Sequence, residues 1–263
     1  MCCVAITPIS CASPRIILPE GPGEPFPKYA EVFAAAVSEC SRVRSFEALV
    51  ALRGRGQGGN VRGRIRVGFV APGSVRLEGL APFGAPVFLF AATPSDVTLW
   101  FVRRAQAVSG VPAADVLDRL TGIPFGPEDL RAVLTGCLVP EAEPIGGRSY
   151  GDWIAVDLAR GAVAYLRPSG DEYHLVAGIR DGLTVWYDEF RRQLPRQVRV
   201  VSDDGGSQAS VPVTDLTARL SQVSVNVEIP EAAFTLRIPP DVTPVSLEDL
   251  FRAPPLAGET GQP

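Results

Sequence analysis

The chain is nearly devoid of the side chains on which most enzyme chemistry runs. Among 263 residues there is one histidine, His174, and one lysine, Lys28; the other basic residues are all arginine. A single histidine excludes a multi-histidine metal site. Lys28 sits in Pro27-Lys28-Tyr29, so there is no Gly-Lys-Ser/Thr phosphate loop. The five cysteines (Cys2, Cys3, Cys11, Cys40, Cys137) lack Cys-x-x-Cys spacing, which argues against zinc. No Gly-x-Ser-x-Gly nucleophile elbow occurs. Gly54, Gly56 and Gly59 match Gly-x-Gly-x-x-Gly, but the alternating run Val61–Val67 follows where a dinucleotide fingerprint needs a helix. We read that segment as a hairpin loop. His174, in Glu172–Ala177, lies on the polar side of an alternating strand with no nucleophile or orienting partner in view. Asp171 and Glu172 follow Pro168-Ser169-Gly170, an ordinary turn, so a hydrolase built on them ranks last. Net charge of −4 and a pI near 5.2 argue against a nucleic-acid partner. The expectation is a protein without cofactor or metal, and not an enzyme.

What is abundant is apolar alternation broken by turn residues. A 46% hydrophobic content excludes a disordered chain, and 26 Gly with 25 Pro excludes a helical bundle. Residues 1–14 are uncharged, and Cys2–Cys11 resembles the tail of a secretory apolar region without its basic start. Pro14, Pro19, Pro22, Pro25 and Pro27 make the following segment a semi-extended tether. Tyr29, Phe33, Val37 and Cys40 fall at helical spacing and predict a helix over 28–41. Val61, Ile65, Val67 and Phe69 alternate with Arg62, Arg64 and Arg66, the period of a half-buried strand. Strands are also predicted around 75–79, 86–92 and 97–102. Residues 112–136 predict two helices near 113–121 and 127–135. There Pro112 and Pro127 mark first turns, and Gly122 and Gly136 mark the ends. Further strands are predicted at 152–158, 162–167, 172–179, 183–188, 196–202, 208–214, 218–228 and 233–238. The predicted organisation is a leader and tether (1–27), one domain (28–251) and a flexible tail (252–263). The fold class is mainly β with a few α-helices. A single curved antiparallel sheet has its concave face covered by the N-terminal helix and the two short inserted helices. Such sheets commonly enclose an apolar cavity.

The segment Leu120-Thr121-Gly122-Ile123-Pro124-Phe125, followed by Leu130–Gly136, resembles the two-helix insertion of the LolB family of outer-membrane lipoprotein receptors. Val75–Gly84 is similar to that family's strand ending in a Pro-apolar-Gly loop. Trp186-Tyr187-Asp188 and Leu194-Pro195 before Val198-Arg199-Val200 fit its late strands. The C-terminal part, Val225–Glu228 through Ile238-Pro239-Pro240, looks more like the wider set of LolA/LolB-like lipoproteins. The resemblance covers about residues 28–238. It implies an open half β-barrel whose cavity holds lipoprotein acyl chains or another lipid. It also implies a LolA-like periplasmic carrier as partner and the periplasm-facing surface of the outer membrane as the place of work. The residues expected to line the cavity are Leu89, Leu99, Phe101, Leu117, Leu130 and Val133. The implied membrane-facing loop is Pro82-Phe83-Gly84, with Phe83 protruding. Ile9-Ser10-Cys11 resembles the end of a lipobox, which makes Cys11 the expected acylated residue. Ala12 beside it resembles cargo sorted to the outer membrane. The alternative on the same fold is an envelope lipoprotein with a structural or stress-sensing role and no open cavity.

Charge is unevenly spread. Eight arginines fall within residues 42–76 against Glu47 alone, so that segment carries +7 in a chain of −4. A solvated strand face explains this in one way; attraction to an anionic membrane or an acidic carrier explains it in another.

Overall fold

The computed structural model describes residues 17–56, 59–202 and 214–252. The expected lipidation site Cys11 and, apart from Thr214, the expected strand at 208–214 lie outside the described residues. Alternation is realised throughout. The run containing Val61, Val67 and Phe69 becomes β3 (Gly59–Val70), paired residue for residue with β2 (Ser45–Gly56). The meander continues through β4 (Ser74–Leu80), β5 (Pro86–Ala92), β6 (Val97–Phe101) and β7 (Gln106–Ser109). After the two inserted helices a second meander runs β8 (Pro144–Tyr150), β9 (Trp153–Leu158), β10 (Val163–Ser169), β11 (Glu172–Arg180), β12 (Leu183–Asp188), β13 (Gln197–Ser202) and β14 (Asp215–Val225). β14 returns to lie antiparallel to β2, so both meanders form one sheet. Two-residue strands close its edges: β1 (Glu24–Pro25) beside β8, and β15 (Thr243–Pro244) parallel to β7. The two edges do not pair with each other, and the sheet is open.

One face carries the core. Phe46, Phe69, Phe90, Leu99, Leu158 and Leu166 are almost wholly buried there. α1 (Tyr29–Ala36) packs across β8, β9 and β11. A Cβ on Gly147 would come within 2.2 Å of Tyr29 Cβ, so this close approach requires glycine. The predicted single helix over 28–41 is instead two. Val37, at φ −101° and ψ 5°, breaks it before α2 (Ser38–Ser41). Cys40 in α2 is bonded to Cys137, 97 residues away. The inserted helices α3 (Ala113–Thr121) and α4 (Pro127–Thr135) match the predicted bounds to the residue. Gly122 (φ 70°) and Gly136 (φ 90°) end them in the left-handed region, and Pro127 opens α4.

The expected strands at 218–228 and 233–238 are corrected. The stretch expected as a strand at 233–238 is a short 3-10 turn (Glu231–Phe234) and unpaired chain. Pro230, Pro239 and Pro240 remove ladder donors around it, and only Phe234 reaches the core. The last long strand ends at Val225, after a bulge at which Gln222 takes φ 52°. The expected tail begins inside a helix, α5 (Leu247–Arg252), whose Leu250 is buried. On the opposite face Ala155, Tyr165 and Ala177 form a smaller apolar cluster with Trp153 and Trp186, and Leu18 of the tether packs on it.

Candidate functional site

Where the two meanders meet, α4 and the α3–α4 loop do not fill the space above the sheet. The resulting cavity measures about 90 Å³. Its floor comes from alternate residues of five adjacent strands. These are Val50 and Leu52 on β2, Ile65 and Val67 on β3, Leu77 on β4, Val198 and Val200 on β13, and Leu216 and Ala218 on β14. Its roof is Thr121, Ile123 and Phe125 with Leu130, Val133 and Leu134 of α4. Thr121 is the one polar lining residue, and its hydroxyl donates to Leu117 O at 2.7 Å. Among the described residues no titratable side chain lines the space.

Of the six residues expected here, only Leu130 and Val133 line the cavity. Leu99 and Leu117 are fully buried in solid core. Leu89 pairs with Glu78 and Trp100, a cross-strand row that continues to solvent-exposed Arg66, so it faces the other side of the sheet. Phe101 lies on the core face in the row Ile65–Gly79–Phe88–Phe101, but three strands beyond Ile65, where it meets Phe251 edge-on. None of the floor residues was among those expected from the sequence. Alternation was visible on β3, β4, β13 and β14, but no strand was expected over β2, and the adjacency of the five follows from β14 returning to β2.

The roof is held unequally. Arg180 is buried and donates to Asp129 Oδ1 at 2.7 Å and to Leu138 O at 3.0 Å, with its guanidinium 4.9 Å from the Phe125 ring centre. Arg131 donates to Val43 O at 2.9 Å, and Glu128 accepts from Gly73 N at 2.7 Å. The Cys40–Cys137 bond ties the chain just past α4 to α2. α3 differs: among the described residues its side chains make no hydrogen bond or ion pair with a strand, and burial of Val116 and Leu117 holds it. α4 is therefore held to the sheet by polar contacts as well as burial, and α3, which reaches the cavity through Thr121, by burial.

Phe83 is 100% exposed, as are its neighbours Pro82 and Gly84 to a lesser degree. Gly84 N donates to Ala81 O and Ala81 N to Ala85 O, both at 2.8 Å. Pro82 and Phe83 therefore occupy the centre of a tight turn, with Gly84 at φ 84° behind them. The loop starts one step past Gly79, the register partner of cavity residue Ile65. His174 stacks on Phe190 at 4.4 Å between ring centres, and Glu172 accepts from Gln193 at 2.9 Å; neither borders the cavity.

No family model matches the chain, and no curated protein matches it in sequence. Its structure is similar to that of a LolA superfamily protein from Nitrosomonas europaea, with TM-score 0.50 and 11% identity over 78% of this chain and 98% of that one. A DUF1329 family protein from Desulfovibrio piger aligns with TM-score 0.49 and 12% identity, over 81% of this chain and 98% of that one. A putative outer membrane lipoprotein-sorting protein domain from Vibrio parahaemolyticus aligns with TM-score 0.46 and 9% identity, over 86% and 100%. The open sheet with its roof of short helices is thus a LolA/LolB-like fold.

Proposed function

We propose that this chain is a lipid-anchored envelope protein that binds lipoprotein acyl chains, or a related lipid, and helps place them in the outer membrane. It acts as a binding protein and not as an enzyme. The observation that carries this reading is the cavity at the junction of the two meanders, lined among the described residues by apolar side chains and the single hydroxyl of Thr121. Three further features support it: the LolA/LolB-like fold, the lipobox-like Ile9-Ser10-Cys11, and a disulfide suited to an oxidising compartment. Each methylene transferred into the cavity contributes about 0.8 kcal/mol. At about 90 Å³ the cavity is too small for an acyl chain, so in this reading loading requires α3, which lacks the polar ties of α4, to move off the sheet while α4 stays. Phe83, held outward by its turn, is the element that enters lipid at delivery.

The small cavity also favours a second reading. Ligand pockets usually span about 300–1,000 Å³. A chain whose α3 never lifts would be a structural envelope lipoprotein with a nearly solid core. A delipidated sample titrated with a fluorescent fatty acid separates the two. Saturable binding, displaced by a triacylated lipopeptide and lost in Val133→Phe, supports the carrier. A folded protein that binds neither probe is the structural one.

A further inference from the structure

We infer that the outer face of the β2–β3 hairpin is a docking surface for a bilayer rich in anionic headgroups, one that orients the cavity end of the molecule toward the membrane. The inference stands apart from what the cavity carries. Arg53, Arg55, Arg62 and Arg64 are all exposed on that face. Among the described residues none of the four makes an ion pair. The neighbouring charges are already matched: Arg66 and Arg76 share Glu78, and Arg199 takes both oxygens of Asp215 at 2.7 Å.

Arg53 and Arg62 are direct cross-strand partners. Like charges so placed destabilise a sheet. Protection of an exposed edge does not explain the arrangement. β3 is unpaired by β4 over residues 59–63, but β2 lies between β14 and β3, so Arg53 and Arg55 guard no edge. A dense array of anionic phosphates would relieve this repulsion by neutralising the four charges. The choice of a lipid surface over an acidic protein rests on Phe83. Its loop follows Leu80, the register partner of Arg64, so the fully exposed aromatic side chain of Phe83 stands at the end of the cationic face. A cationic face beside one exposed apolar tip is the combination that holds peripheral proteins at anionic membranes.

The test uses the full, unacylated chain in co-sedimentation with vesicles of phosphatidylcholine alone and of phosphatidylcholine with phosphatidylglycerol. The wild type should bind the anionic vesicles, ignore the neutral ones, and dissociate as salt is raised. Each arginine contributes about a fivefold gain in partitioning, so the variant with all four changed to glutamine should bind two to three orders of magnitude more weakly. The corresponding lysine variant should bind like the wild type. Should the fourfold glutamine variant fail to melt cooperatively, Arg53→Gln/Arg62→Gln supplies the same readout, with about a 25-fold loss. Fluorescent fatty-acid binding should be unchanged in these variants, which separates failure of the surface from failure of the cavity. Equal binding to both vesicle types, unimpaired binding by the glutamine variants, or no binding by the wild type would overturn the inference. The last result would hand the arginines to an acidic protein.

Discussion

Replacing Cys40 and Cys137 with serine tests the frame of the candidate site most directly. The bond closes a loop of 97 residues in sequence, spanning β2 to α4, and Cys40 is 3% exposed. Loop-closure entropy for a loop of that length amounts to about 4–5 kcal/mol at 25 °C. Polar contacts that also hold α4, from Arg131, Glu128 and Arg180, remain in the variant, so the helix should still dock. We therefore expect a loss of about 3–5 kcal/mol, mostly through a freer unfolded chain, with native circular dichroism retained. For a chain of this size that lowers the melting midpoint by roughly 6–20 °C. Urea unfolding with and without reductant measures it on the wild type, and the serine variant must be insensitive to reductant. The same protein made in a reducing cytoplasm should resemble the variant. A loss below about 1 kcal/mol would refute the reasoning, because the loop would then be constrained by something other than the bond.

Phe83→Glu should leave stability within about 0.5 kcal/mol, since the side chain is fully exposed, while delivery of a bound lipoprotein to liposomes falls. A stable variant with normal delivery would remove Phe83 from the function. Arg180→Met should cost about 2–3 kcal/mol in chemical denaturation. It removes the donor to the Leu138 carbonyl and to Asp129 Oδ1, leaving that carboxylate only Gly126 N, and an unchanged midpoint would mean that Arg180 does not hold α4. Gly178→Ala would place a Cβ 2.3 Å from the fully buried Leu138, and a loss of about 1–3 kcal/mol is expected in thermal melting. Gly63→Trp should be tolerated, because open space surrounds that position. It should nevertheless slow uptake of the fluorescent fatty acid, since Gly63 pairs with cavity residue Leu52; unchanged uptake kinetics would place the mouth elsewhere.

Local rules determined much of this protein from its sequence. Period-two alternation gave most of the strands, though not β2, β7 or β8, and Pro and Gly bounded α3 and α4 to the residue, because φ is restricted at one and freed at the other. Exposure of Phe83 was legible for the same reason: a turn between Pro82 and Gly84 leaves its central side chain outside any core. What a residue's neighbours are was decided by the tertiary structure. Leu89 and Leu99 are equally apolar, yet strand pairing puts Leu89 in a row with Arg66 and Leu99 in the core. Val198 and Leu216 line the cavity because β14 closes back on β2, a pairing between segments more than 150 residues apart. The Cys40–Cys137 bond and the Arg180–Asp129 pair are of the same kind. Alternation specifies a side chain's face only within its own strand. Which faces meet depends on strand order and register, and these are set by the best joint burial of the whole chain.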